Sequence, residues 1–251
     1  MDLKLKGKAA LVTGGSKGIG LATCELFADE GANVALCARN ADEVASVVKT
    51  LEAKGVRAFG QGIDVSDAAA LKSWIEASAE ALGGIDALVC NVSALSVGDG
   101  PEMWEKSFRV DMMHTVNAVA AAMPYLEKSG VGSVTIISSV SGVEVDFAAG
   151  SYGAIKGALI HYSKGLAMQL AKKGVRVNVV SPGNTYFDGG IWQGIERDTP
   201  DFFKEVIAMN PTGRMGTAEE TAVGIVFLSS PLCSRVSGAN LVIDGALTKA
   251  V

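Results

Sequence analysis

The strongest constraint in the sequence is an alternation. Short apolar runs of strand length, at Lys8 to Thr13, Asn33 to Ala38, Ala58 to Asp64, Ile85 to Asn91, Ser133 to Ser138, Val175 to Ser181 and Leu241 to Asp244, are separated by helix-length segments near 18–30, 41–54, 67–82, 102–128, 151–173 and 217–229. Strand and helix repeated in this way build a mostly parallel sheet covered by helices on both faces. Runs such as Ala87-Leu88-Val89-Cys90 agree, because a strand buried on both faces has no polar side. The expected fold class is α/β, a doubly wound parallel sheet of about seven strands. No linker or shift in composition divides the chain, and 251 residues of which 49% are hydrophobic can bury one large core, so a single domain over 1–251 is expected.

Such sheets bind ligands at the carboxyl ends of their strands. The first strand ends in Thr13-Gly14-Gly15-Ser16-Lys17-Gly18-Ile19-Gly20, just before a helix. Glycines there permit a tight turn and let a pyrophosphate approach the backbone over the helix N-terminus. The spacing is G-x-x-x-G-x-G rather than the commoner G-x-G-x-x-G, so the position between strand and helix carries the reading. The second strand closes Leu36-Cys37-Ala38-Arg39-Asn40. An acidic residue there would bond the adenosine ribose of NAD and repel a 2′-phosphate, whereas an Arg accommodates the phosphate. With Arg39 present, and Lys17 placed to add a second cation, the sequence favours NADP(H) over NAD(H).

Tyr152 and Lys156 stand four apart in SYGAIKG, the start of a helical segment, and would share one helix face. A free tyrosine titrates near pH 10, too high for proton exchange at neutral pH, and a neighbouring ammonium favours the ionised form. Ser139 follows the apolar run Val134 to Ile137, where a strand end would present its hydroxyl to a substrate oxygen. Taken alone the Tyr-Lys pair is common, and a surface Tyr lying on a lysine stem would look the same.

The remaining composition narrows the function by exclusion. A net charge of -5 and a pI near 5.2 argue against a nucleic-acid surface. Lys172-Lys173 reads as a helix-end dipole contact. No apolar run approaches the roughly 18 residues that span a bilayer, and Ala9 to Val12 is too short for a signal-peptide core. A cytoplasmic protein without a membrane partner is expected. Cys24, Cys37, Cys90 and Cys233 are far apart without CxxC spacing, which suits reduced core thiols and no metal site.

With these residues placed, the chain closely resembles the short-chain dehydrogenase/reductase family in its compact branch. The likeness runs from Lys6 to near the C-terminus. It rests on TGGSKGIG at 13–20, Asp64-Val65, Asn91, Ser139, YGAIK at 152–156, Pro182-Gly183 and the closing Gly238-x-x-Leu241-x-Ile243-Asp244-Gly245. The resemblance implies a Rossmann-like fold and hydride transfer between a nicotinamide and a carbonyl or secondary alcohol carbon of a small molecule. Tyr152 would be the general acid or base, Ser139 would orient the oxygen, and Lys156 would hold the nicotinamide ribose. Gly14, Ser16, Lys17, Gly18, Ile19 and Gly20 would cradle the cofactor, with Arg39 and Asn40 at its phosphate end. Asp64 and Val65 would meet the adenine, Asn91 the centre, and Pro182, Gly183 and Thr185 the nicotinamide side. A noncatalytic dinucleotide-binding regulator and a 3-oxoacyl-thioester reductase are the alternatives; the latter would need a basic docking patch that the sequence does not display.

The chain departs from the family pattern at several places. Cys90-Asn91-Val92-Ser93 stands where Asn-Asn-Ala-Gly is usual. Asp111 stands where an Asn ordinarily anchors the catalytic relay; it adds a negative charge and would pair more directly with Lys156. His114, a turn later, reads as a packed or partly exposed helix residue. Residues near 184–212 take the place of the mobile substrate lid. Phe187 falls where many relatives carry a nicotinamide-contacting Thr, leaving Thr185 as a substitute, and Tyr186, Phe187 and Trp192 read equally as pocket or core. Gly153, Ala154, Gly157, Ala158 and Gly165 suggest close approach of another backbone on the Tyr-Lys helix, as in a homodimer or homotetramer.

Overall fold

The computed structural model describes residues 2–250. Nine strands and nine α-helices follow one another among the described residues. The main sheet holds β1 (Ala9–Thr13), β2 (Asn33–Ala38), β3 (Ala58–Gly62), β4 (Ala87–Cys90), β5 (Ser133–Ile137), β6 (Arg176–Pro182) and, last in the chain, β9 (Asn240–Ile243). Its order is β3-β2-β1-β4-β5-β6-β9 and every pairing is parallel. This is the doubly wound Rossmann-like sheet that the alternation demanded. The strand order reverses between β1 and β4, and the crevice beyond their carboxyl ends is where such sheets bind ligands.

The two-residue periodicity of the strands divides the interior into two cores. Along β1, Ala9 and Leu11 join one, and Ala10 and Val12 the other. The first is closed by Trp74 and Ile75 of α3 (Ala68–Leu82), Val119 and Leu126 of α5 (His114–Ser129), and Leu159 and Leu166 of α6 (Ser151–Leu170). The second is closed by Phe27 of α1 (Gly18–Asp29), Val44 and Leu51 of α2 (Ala41–Ala53), and Ile225 of α9 (Ala218–Ser229). Each large side chain so buried contributes about 1.5–3 kcal/mol, which offsets the ordering of the long crossovers. The four cysteines are buried free thiols, as their spacing suggested. Burial pushes Cys90 up to about 12, so it packs as a small hydrophobe.

Helix ends follow local chemistry. Asn40 caps α2 by accepting from the Asp42 and Glu43 N–H groups, Asp67 does the same for α3, and Thr217 with Glu220 forms a reciprocal capping box on α9. At α1 the position is taken by Lys17, which makes no side-chain cap.

One region differs from the sequence expectation. The segment 102–128 is not one α-helix: α4 (Pro101–Ser107) passes into a π-helical turn at Phe108–Met113 and then into α5. Periodicity could not reveal this, because one extra residue in a turn leaves the apolar stripe nearly intact. π turns gather at functional positions, and this one carries Asp111. The segment where a lid was expected forms a small unit of its own. β7 (Thr185–Tyr186) pairs with β8 (Gly216–Thr217) in a small parallel sheet, with α7 (Ile191–Asp198) and α8 (Pro200–Met209) between them.

Candidate active site

The glycine loop is shaped by close contacts that a side chain would block. Gly14 and Gly18 have φ of 68° and 53°, a region that favours glycine. A Cβ on Gly20 would collide with the Gly14 carbonyl oxygen, and one on Gly14 would lie 2.9 Å from Val92. The loop thus packs closely on Asn91 and Val92 after β4, and no side chain caps the N-terminus of α1, which could hold an anion. Asn91 braces it, donating through Nδ2 to the Thr13 and Gly14 carbonyls at 3.1 and 3.2 Å.

A cavity of about 640 Å³ opens beside the loop. Gly14, Ser16, Lys17, Arg39, Asn40, Asp64, Val65 and Asn91, all predicted cofactor residues, line it. Lys106 and Arg109 face it from the α4 side, and sequence reasoning missed both. Asp64 accepts from the Ser66 N–H, which holds its carboxyl below the usual range, and the Arg39 and Arg109 charges add to this.

Two of the predicted phosphate-end residues are not free groups. Asn40 is engaged as the α2 cap. Lys17 Nζ lies 2.8 Å from Glu43 Oε1, and this contact holds the Glu43 carboxyl below its ordinary range. Glu43 escaped the sequence analysis. Its signal was the Asn-x-x-Glu pattern over 40–43, which reads as a helix start and places the third residue back over the loop.

A second cavity, of about 230 Å³, shares Lys17, Asn91 and Ser93 with the first. Ser139, Tyr152 and Lys156 line it, together with Ile19, Gly20, Pro182, Gly183, Thr185, Phe187 and Trp192. Of the predicted residues, only Gly18 and Asp111 line neither cavity: Gly18 lies under the Phe187 ring, and Asp111 is buried behind Lys156. Tyr152 and Lys156 sit one turn apart on α6, with Nζ 5.6 Å from the tyrosine ring centroid. The ammonium donates to the Ile137 carbonyl at 3.0 Å and lies 3.1 Å from Asp111 Oδ1. Both side chains of this ion pair are 2% exposed. The other Asp111 oxygen accepts from the Ala94 N–H at 2.8 Å, tying the π turn to the loop after β4.

Ser139 is held by a short polar chain. Its Oγ accepts from the Ser141 N–H at 3.1 Å and donates to Ser141 Oγ at 3.3 Å, and Ser141 Oγ donates to Asp146 at 2.7 Å. The glycines of α6 serve this loop. A Cβ on Gly153 would stand 2.9 Å from the Ser141 carbonyl and one on Gly157 3.3 Å from that of Gly142. The backbone whose approach these glycines announced is therefore the protomer's own, which corrects the inference of a symmetry mate at those two positions. Ala154 and Ala158 remain exposed.

The aromatics of the 184–212 segment take separate places. The Phe187 ring covers Gly18, where a Cβ would come within 2.5 Å of it. Tyr186 turns outward and donates to Glu196 at 2.6 Å. Trp192 is buried with Val206 and Met215 in a small core of its own while also lining the second cavity. Phe147, which sequence reasoning missed, meets Trp192 and Phe202 edge-on at centroid distances of 5.8 and 5.7 Å. Thr185 Oγ1 donates to the Gly183 carbonyl.

His114 is packed rather than partly exposed, at 1% exposure, with Nε2 3.0 Å from Thr13 Oγ1. Burial lowers its pKa from 6.5 to about 4; the Asp111 charge opposes this and the Lys156 charge assists it. A folded value below the unfolded one means that the unfolded chain binds the proton first as pH falls. Stability contributed by neutral His114 is then present above about pH 6.5 and declines toward pH 4, by up to ~3 kcal/mol in total. His114→Gln is expected to flatten that part of the stability curve, measured by urea unfolding at several pH values; identical pH dependence in both proteins would disprove the assignment.

A cavity running from a glycine turn to a serine, tyrosine and lysine, at the reversal point of a parallel sheet, defines a Rossmann-type oxidoreductase. A family model described as "Enoyl-(Acyl carrier protein) reductase" matches residues 14–248. The isoepoxydon dehydrogenase of Penicillium expansum is 40% identical over 247 residues, covering 97% of this chain and 95% of that protein. The 2,5-dichloro-2,5-cyclohexadiene-1,4-diol dehydrogenase of Sphingobium indicum is 35% identical over 251 residues, covering 98% of each. The crystal structure of L-sorbose reductase from Gluconobacter frateurii, complexed with NADPH and L-sorbose, superposes with a TM-score of 0.92 at 29% identity over 100% of both chains. The chain belongs to the short-chain dehydrogenase/reductase family. No helix among the described residues is long and apolar enough to cross a membrane.

Proposed function

We propose that this protein is an NADP(H)-preferring oxidoreductase that interconverts a secondary alcohol and its carbonyl compound, with Tyr152 as general acid and base. One observation carries the reading: Ser139, Tyr152 and Lys156 line a cavity whose walls at Lys17, Asn91 and Ser93 also bound the cavity beside the glycine loop. The glycine cradle, in which added side chains would collide, fits a dinucleotide. NADPH in the L-sorbose reductase structure supports the cofactor choice, as do Arg39, Lys106 and Arg109 around the adenosine end.

The nicotinamide cofactor, when bound, supplies or accepts the hydride. Gly14 to Gly20 and the α1 N-terminus would hold its pyrophosphate, and Lys156 its nicotinamide ribose. Ser139 has its own proton committed to Ser141 and keeps a lone pair for a substrate hydroxyl; rotation of Oγ turns it into a donor to a carbonyl. Tyr152 gives its proton to the oxygen that becomes an alcohol, or takes it in oxidation. Trp192 and Phe187 exclude water from that oxygen.

Leu95 and Ile191 make the cavity mouth apolar, and two relatives are named for isoepoxydon and for a cyclohexadienediol. Cyclic secondary alcohols are therefore the first substrates to test. Absorbance at 340 nm with NADPH and NADH in parallel, over cyclic alcohols, ketones, sugars and a 3-oxoacyl thioester, decides the matter. Turnover of a cyclic alcohol or ketone is expected. Tight cofactor binding with no turnover of any member would instead make the chain a noncatalytic dinucleotide-binding protein. Exposed Trp104, Phe108 and Met168 support a homodimer or homotetramer, which light scattering would reveal as a multiple of the 25.8 kDa chain.

A further inference from the structure

We propose that Glu43 sets cofactor selectivity by competing with the 2′-phosphate of the cofactor for Lys17 and Ser16. The inference rests on the dinucleotide reading above. The Glu43 carboxylate already engages the donors a phosphate would need: Oε1 is 2.8 Å from Lys17 Nζ and accepts from Asn40 Nδ2 at 3.1 Å, while Oε2 accepts from Ser16 Oγ at 3.2 Å. All four residues line the adenosine cavity. Lys17 and Glu43 are 57% and 32% exposed, so their pair can open without unfolding anything.

The consequences for the two cofactors are opposite. A 2′-phosphate gains Arg39 and Lys17 but must separate Lys17 from Glu43 and accept a carboxylate as a close neighbour. A free 2′-hydroxyl has no such quarrel, because a carboxylate accepts its proton. The cations and Glu43 thus pull in different directions, and the chain prefers NADP(H) by less than its cation count suggests. The pattern over 40–43 explains why Glu43 can hold this place: the α2 cap fixes the first helical turn, and the third residue of that turn points back over the loop.

The test uses nucleotide fragments, so binding is read without turnover. Adenosine 2′,5′-bisphosphate and 5′-ADP are titrated calorimetrically into the wild type and Glu43→Gln, which keeps the side-chain shape and removes the charge. The variant is expected to bind the bisphosphate about tenfold more tightly while 5′-ADP affinity is unchanged or weaker. Lys17→Met should cost more bisphosphate affinity in the Glu43→Gln background than in the wild type, because Glu43 no longer shares the lysine. An unchanged ratio of the two affinities, or equal tightening of both ligands, would overturn the proposal. If neither fragment binds even the wild type, the dinucleotide reading falls and this assignment falls with it. Thermal melts of the variants show whether they are folded.

Discussion

Tyr152→Phe is expected to lower kcat/KM by about a thousandfold or more while leaving NADPH affinity within about threefold of the wild type. The substitution removes one hydroxyl and little else. The phenyl ring keeps the position on α6 beside the Lys156 ammonium. Lys156 keeps its contacts with Ile137 and Asp111, and Ser139 keeps its chain through Ser141 to Asp146. A merely structural role for the ring would therefore survive the change. A role in proton transfer would not, since among the described residues no other titratable side chain lines the cavity except the lysines at 17 and 156. The experiment pairs steady-state kinetics on the best substrate of the panel with NADPH binding by fluorescence. A variant within tenfold of the wild type in kcat/KM would sink the general acid/base assignment.

The parts legible in the sequence were those that local pattern determines. Strand runs such as Val134 to Ile137, alternating with helix-length segments, announced the parallel sheet, because burial of both sheet faces imposes continuous apolar strands; its division into two cores shows only in the fold. The glycine loop was legible because Gly14 and Gly20 have no alternative where backbones meet. Tyr152 and Lys156 were legible because four residues make one helical turn. What stayed hidden depends on residues distant in sequence. Lys17 reads as a free cation until the first turn of α2 brings Glu43 against it, 26 residues further on. The glycines of α6 signalled a close backbone correctly but could not say whose, and for Gly153 and Gly157 it is the loop at Ser141 and Gly142. Phe147 carried no motif at all; it is placed by the 184–212 segment that folds onto it.

Asp111 unites a departure from the family pattern with a fully buried ion pair. The carboxylate and the Lys156 ammonium, each 2% exposed and 3.1 Å apart, have given up their hydration for one another. Oδ1 takes no aligned hydrogen bond from Nζ, so the attraction is that of charges in contact, and the ammonium spends one proton on the Ile137 carbonyl. Its other protons stay available to the cavity. Asp111→Leu would strand a buried cation, and the expected loss of stability is about 3–5 kcal/mol by urea unfolding. Asp111→Asn is a different experiment. The amide keeps the volume and can still accept from the Ala94 N–H, so the π turn stays tied to the loop after β4. With its one oxygen on Ala94, the amide turns its neutral NH2 toward Lys156, so the ammonium loses its counter-charge while the Ala94 N–H keeps its partner. The Asn variant is expected to retain turnover with an altered pH dependence of kcat/KM and a smaller stability loss than the Leu variant. Complete loss of turnover in folded, NADPH-binding Asn variant would show that the charge itself is required. A Leu variant as stable as the wild type would show that Lys156 does not depend on Asp111 as its buried counter-charge, because a stranded ammonium cannot be held at no cost.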